Sequence, residues 1–147
     1  MNVDRGLLTD LLLATLEPEA GDTRQWYVGD HEKPPQGGWQ GQIGRSEWHP
    51  YIILTATPSQ IIDGDIATPH SDVWFGYAVT SVTTSRRSAE QMSSVARERL
   101  SEIQRQKTSD TRTIARVQVT RYGGNERLAT EPPLFLVTDQ FRIYTTK

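Results

Sequence analysis

The sequence predicts an α+β domain in which helices pack on a mostly antiparallel or mixed sheet of about five strands. Two stretches place apolar residues at helical spacing, one at the N-terminus and one near the middle of the chain. Several other stretches alternate apolar and polar residues as strands do, and the last two of these are adjacent in sequence. The 147 residues predict a single domain, 1–147, with a buried core.

The first predicted element is an N-terminal helix over residues 3–16. Pro18 predicts its end, because proline cannot continue the hydrogen-bond ladder, and Asn2 is a candidate N-cap. Acidic residues interrupt the apolar stretch, which is atypical of a secretory signal, so we expect a protein used without secretion. The predicted buried face consists of Val3, Leu7, Leu8, Leu11, Leu12 and Leu16.

Three strands are predicted before the central helix. They cover residues 24–29, residues 51–58, where Pro58 is expected to end the strand, and residues 73–82. The third alternates, with Val73, Phe75, Tyr77 and Val79 on one face. Residues 29–50 between the first two strands are rich in Gly and Pro and show no period, which predicts a long loop of the kind that often has a function.

The central helix is predicted to begin at an N-cap formed by Ser85 or Ser88. A polar turn is expected to follow, then a strand over residues 113–122, a loop over 123–133, and a final strand over 134–146. The apolar stripe of the helix consists of Ala89, Met92, Val95, Ala96, Leu100 and Ile103. The final strand carries Phe135, Val137, Phe141 and Ile143 on one face.

The formal net charge of −2 hides an asymmetry between the two halves of the sequence. Residues 1–83 carry 4 basic and 11 acidic side chains, whereas residues 84–147 carry 12 basic and 7 acidic ones. One interpretation is two solvated faces of a single domain. The other is a head-to-tail assembly, in which the acidic surface of one copy meets the basic surface of the next.

The residues that could carry catalysis do not form a recognised motif. The chain has no cysteine, and its three histidines, His31, His49 and His70, are far apart in sequence. A metal-dependent enzyme would have to combine these histidines with Asp72, which lies two residues after His70. The alternative interpretation is that His49 and His70 are polar edge residues that flank strand starts. We therefore predict a protein that is not an enzyme and holds no metal or other cofactor.

The arginines of the second half raise the question of nucleic-acid binding. Arg86, Arg87 and Arg97 lie on the central helix and could neutralise phosphates. Glutamates interleave with them at helical spacing, which favours pairs within the helix. No sequence-specific base recognition is predicted, and no stretch is apolar enough to span a membrane.

The tryptophans of the long loop are candidate interface residues. Trp39 and Trp48 lie in a glycine-rich segment. Such a segment suits a protein–protein contact that becomes ordered on assembly. Their rings could instead cap the core of the same domain, and the sequence leaves both interpretations open. Together with Arg86, Arg87 and Arg97, they form the predicted protein-interface set.

Taken together, several segments resemble the tail terminator (tail completion) proteins of long-tailed bacteriophages, most closely the small versions from actinobacteriophages. The segments are WYVGDHEKPPQGGWQGQ, HPYIIL, HSDVWFGYAVTSV, SAEQMSSVARERL and PPLFLVTDQFRIYTT, in this order. The resemblance covers roughly residues 24–146 and lies in the order and spacing of the segments. Gln91 departs from it, since such sequences often carry an aromatic residue there.

The resemblance implies a structural virion protein of the α+β class. Members of this family form a hexameric ring on the head-proximal end of the tail tube, stop tube polymerisation and offer a docking surface to the head–tail connector, or stopper. The implied partners are further copies of the chain, the tail tube protein and the connector. Double-stranded DNA would pass through the lumen of the ring without sequence-specific binding. Another head–tail joining or interaction module is the alternative.

Overall fold

A computed structural model shows an α+β fold in which both helices pack on a mixed sheet. The structure describes residues 5–18, 26–30, 50–62, 72–109, 112–130 and 133–146. The helices are α1 (Arg5–Leu16) and α2 (Arg86–Ser101). The strands are β1 (Tyr27–Gly29), β2 (Tyr51–Ile62), β3 (Asp72–Thr83), β4 (Lys107–Ser109), β5 (Arg112–Arg121), β6 (Asn125–Thr130) and β7 (Pro133–Thr146). The predicted fold class is confirmed.

The sheet has the strand order β1-β2-β3-β7-β5-β4, and β6 pairs with β7 beyond the end of β5. β1 and β2 are parallel, and the other pairs among the described strands are antiparallel. β5 and β6 run in the same direction along one edge of β7, so they act as one long strand interrupted at residues 122–124. β5, β6 and β7 therefore form a long, broken β-hairpin.

One hydrophobic core lies between the sheet and the two helices. The alternation of β3 places Val73, Phe75, Tyr77 and Val79 on the face that packs on the helices, as the sequence predicts. Phe141 and Ile143 of β7 extend this core. The helices contribute Leu8, Leu12, Leu16, Met92, Ala96 and Leu100, all from the predicted apolar stripes.

One predicted boundary is wrong because a β-bulge accommodates a proline, and a second bulge changes the alternation of a later strand. Pro58 does not end β2, which continues to Ile62 through an irregularity between Thr57 and Gln60. Proline lacks an amide proton and is tolerated in sheets at bulges and edges, so the bulge accommodates it. In β5, a bulge between Ile114 and Arg116 shifts the alternation, so that Ile114 is buried and Ala115 is exposed.

Two short strands replace predicted turns and loops. The polar segment after α2 contains β4, which pairs with the start of β5, and the amide of Ile114 donates to the carbonyl of Gln106 at 2.8 Å. The predicted loop over 123–133 contains β6, which pairs with the first half of β7. Both segments are polar, so their own residues give little sign of the pairing that their neighbours in the sheet impose.

Candidate functional site

A buried polar cluster joins α2 to the long hairpin. The carboxylate of Asp139 accepts hydrogen bonds from the Ser93 hydroxyl, from the Arg97 guanidinium at 3.0 Å and from the Gly123 amide at 2.9 Å. The side chain of Asp139 is 1% exposed, so its charge is compensated by these donors rather than by water. These donors satisfy the hydrogen-bonding capacity of a buried carboxylate, so the cluster has a structural role.

Arg97 also contacts the aromatic ring that borders the break between β5 and β6. Its guanidinium lies 4.8 Å from the centre of the Tyr122 ring, and this ring is 68% exposed. The Arg97 guanidinium thus packs against a tyrosine ring at the surface and holds it in place. The sequence analysis did not predict this cluster. The indication of it in the sequence is Asp139, an acidic residue at a core-facing position of β7.

The arginines predicted to form an interface on α2 point in different directions. Arg86 and Arg87 are exposed at the start of the helix, where Arg86 pairs with Glu90 at 3.4 Å. Arg97 instead faces the hairpin, and Arg99 reaches α1, donating to the carbonyl of Glu17 at 2.6 Å. Because the four guanidinium groups are split between three surroundings, α2 does not present a continuous basic stripe.

The N-terminal helix is attached to the sheet through its first residue. The Arg5 guanidinium lies over the rings of Tyr77, at 4.6 Å, and Phe75, at 5.5 Å, and donates to the carbonyl of Gly76. One turn later, the hydroxyl groups of Thr9 and Tyr77 are 2.9 Å apart. The only basic residue of α1 is therefore turned toward the sheet, while Asp10 and Glu17 are exposed.

The sheet face that points away from the helices carries aromatic and basic side chains. The rings of Trp74 and Tyr144 are 4.8 Å apart, and Arg142 lies 6.0 Å from the Trp74 ring. Strand register places Arg116 beside Tyr144 and Arg121 beside Gln140 on this same face. We call this face, within β3, β5 and β7, the outer face, and no helix of the described residues lies on it.

Asp72 is the one residue of the predicted metal set that lies within the described residues. A hydrogen bond with its carboxylate is the main cause that raises the pKa of the Tyr144 phenol, with burial adding to it. Burial lowers the pKa of Arg112, and the nearby Asp72 charge opposes this. Asp72 thus has a phenol and a guanidinium as neighbours.

The other residues of the predicted sites lie outside the described residues. They are the histidines His31, His49 and His70 and the tryptophans Trp39 and Trp48. Across the described ranges, no group of three or more residues that could hold a metal ion occurs. None of the helices in these ranges is long and apolar enough to cross a membrane.

Two of the surface cavities that border the described elements exceed 500 Å³. One, of about 590 Å³, lies beside α2 and is lined by residues that include Trp26, Met92 and Gln91. The other, of about 510 Å³, lies on the outer face and is lined by residues that include Pro58, Gly76 and Arg142. At Gly76 an added Cβ would lie 2.3 Å from the Thr57 hydroxyl oxygen, so the β2 bulge requires a glycine at this point. Among the described residues, neither lining contains a nucleophile–base pair.

Comparison with known proteins adds no family assignment. No protein-family model matches the chain, and no curated protein matches it.

Proposed function

We propose that the protein is a tail terminator of a long-tailed bacteriophage. It forms a hexameric ring at the head-proximal end of the tail tube, ends tube polymerisation and offers a docking surface to the head connector. Its partners are other copies of itself, the tail tube protein and the connector, and double-stranded DNA passes through the ring without base-specific contacts. It acts in the virion, after assembly in the host cytoplasm, and catalyses no reaction.

One observation carries this proposal, namely that exposed charges of opposite sign lie on different layers of the subunit. Asp10 and Glu17, from the acidic half of the sequence, are exposed on and just after α1, whereas the exposed arginines of the outer face, from the basic half, are Arg116, Arg121 and Arg142. A ring requires a heterologous interface, in which one patch meets a different patch of the next copy. Two regions of opposite charge on one subunit supply such a pair of patches.

The resemblance of residues 24–146 to tail terminators supports the same assignment, and the α+β fold agrees with the fold that the resemblance implies. The predicted interface residues Trp39, Trp48, Arg86 and Arg87 belong to this proposal. The guanidinium of Arg97 is bound to Asp139. Arg97 therefore contributes to the proposed interface through the Tyr122 ring that it supports.

The test is the mass of the purified chain by light scattering, alone and after mixing with tail tubes assembled from the tube protein of the same phage. A hexamer in solution, or a ring seen by electron microscopy at one end of the tubes, is the expected result. A monomer that neither binds tubes nor stops their growth would overturn the proposal. Metal analysis of the same sample would then test His31, His49, His70 and Asp72 as ligands.

A further inference from the structure

The exposed side of α1 is acidic. Leu7, Asp10 and Ala14 are exposed and recur at three- and four-residue steps, which places them on one face of α1. Glu17, exposed just after the last residue of the helix, continues this spacing. Arg5 cannot neutralise this face, because it is bound to the aromatic rings and the carbonyl under the helix. We call Leu7, Asp10 and Glu17 the acidic helix surface, and Leu7, 46% exposed, adds an apolar contact to it.

The outer face of the sheet is basic where β5 pairs with β7. Arg116, Arg121 and Arg142 are exposed there, and their strand partners place all three on this face. Among the described residues, no carboxylate forms an ion pair with any of them. We call these arginines, with the Trp74–Tyr144 ring pair, the basic sheet surface.

These two surfaces lie on opposite layers of the molecule. The buried residues of α1 face the core with Tyr77 and Phe141, so its exposed residues point away from the sheet. The basic sheet surface lies on the other side of the same strands. A twofold contact would bring like charges together at one of these surfaces, whereas a head-to-tail contact pairs opposite charges at every junction.

We infer that the acidic helix surface of one copy docks on the basic sheet surface of the next copy. The inference rests on the proposed ring and specifies which surfaces join its subunits. Asp10 and Glu17 meet Arg116, Arg121 and Arg142, and Leu7 packs near the Trp74–Tyr144 rings, which supply the apolar centre that an interface needs. The charge pairs steer the copies together and fix their relative orientation.

Charge reversal tests the contact. Arg116→Glu with Arg121→Glu, and separately Asp10→Lys with Glu17→Lys, should each weaken self-association at least about tenfold, measured by light scattering over a concentration series. The matched control is Arg105→Glu with Lys107→Glu, which changes the net charge as much at two exposed residues near the end of α2. Association of the wild-type chain should also weaken as salt is raised.

Combining both reversals in one chain separates pairing from a general effect of charge. The quadruple variant should regain association, because every junction again joins opposite charges. Equal association by the wild type and the Arg116→Glu, Arg121→Glu variant would overturn the inference. So would loss of double-stranded DNA binding in that variant without loss of association, since the basic sheet surface would then serve nucleic acid.

Cross-linking gives a readout where association is weak or occurs only on the tube. The chain has no cysteine, so the paired substitutions Asp10→Cys and Arg116→Cys introduce its only thiols. A thiol-specific cross-linker should then produce multimers, whereas Asp10→Cys with Arg105→Cys should not. Absence of multimers both in solution and on tubes would overturn the inference. Cross-linked multimers that ignore tail tubes would instead overturn the proposed function and leave the contact standing.

Discussion

The carboxylate of Asp139 lies 3.0 Å from the guanidinium of Arg97, and this ion pair connects the middle of β7 to α2. The Ser93 hydroxyl, four residues before Arg97, donates to the same oxygen of Asp139, and the Gly123 amide donates to the other one. The carboxylate is thus held from a helix on one side and from the β5–β6 break on the other. This cluster fixes how the helix sits on the hairpin.

Replacing Asp139 by alanine should lower the free energy of unfolding by about 1–3 kcal/mol, because the partly buried Arg97 guanidinium and Gly123 amide would lose their acceptor. Urea denaturation followed by circular dichroism measures this change. The control is Glu126→Ala, an exposed residue of β6, which should change the stability by less than about 0.5 kcal/mol. Equal effects of the two substitutions would show that the cluster contributes no net stability.

The glycines of the β5–β6 break provide a second, internally controlled test. A Cβ added at Gly123 would lie 2.0 Å from the Thr138 carbonyl oxygen, whereas one added at Gly124 meets no atom within 4 Å. Gly123→Ala should therefore destabilise the protein by about 2 kcal/mol or more, since the β7 backbone must move. Gly124→Ala should be close to neutral. Thermal denaturation of both variants decides this, and similar melting temperatures would contradict it.

The sequence predicted the fold class and the core because these depend on local periodicity. The core residues of α1, α2 and β3 lie at the predicted spacing, but Leu7, which was predicted on the buried face of α1, is 46% exposed. The continuation of β2 beyond Pro58, the bulge after Ile114 and the strand within residues 123–133 could not be predicted in the same way, because bulges and pairing partners depend on distant strands.

The surface chemistry was harder to predict than the fold. The sequence identifies Arg86, Arg87 and Arg97 as basic, but it does not show that Arg97 pairs with Asp139, 42 residues away. Nor does it show that Arg116, Arg121 and Arg142 share one face, since this follows from the antiparallel register and from the bulges in β5. Contacts between distant segments decide which charges remain available for a partner.

The start of α2 distinguishes the two serines that the sequence offers as caps. The Ser85 hydroxyl accepts a hydrogen bond from the Ser88 amide at 3.1 Å, so Ser85 is the N-cap. Ser85→Ala should cost about 1 kcal/mol, because one amide at the helix start loses its acceptor. Ser88→Ala should cost less than half of that. Chemical denaturation of the two variants measures the difference, and a larger loss in Ser88→Ala would contradict this assignment.

Attachment of the N-terminal helix depends on Arg5. Arg5→Ala should destabilise the protein by about 1–3 kcal/mol, since it removes a cation–π contact and a hydrogen bond to the Gly76 carbonyl. In this variant, hydrogen exchange in α1 should become faster than in the wild type, and the increase should be larger in α1 than in β3 and β7. Glu98→Gln, an exposed change on α2, is the control and should leave exchange in α1 unchanged. Unchanged exchange in Arg5→Ala would show that the apolar face alone holds the helix.

The phenol of Tyr144 should make stability fall at alkaline pH. Its pKa is raised above the ordinary value of 10.0, first by the hydrogen bond with Asp72 and then by burial. The folded state therefore holds this proton more tightly than the unfolded state does. The stabilisation is fully present below pH 10 and is lost as the pH rises through the folded pKa.

Two variants separate the contributions to this pH dependence. Tyr144→Phe removes the titrating group, so its stability should fall less steeply above pH 10 than that of the wild type, although Tyr51, whose pKa is raised by burial, still contributes. Asp72→Asn should shift the phenol absorbance titration of Tyr144 to lower pH, because the carboxylate is the largest cause of the raised pKa. An unchanged titration in Asp72→Asn would show that burial, rather than Asp72, keeps the phenol protonated.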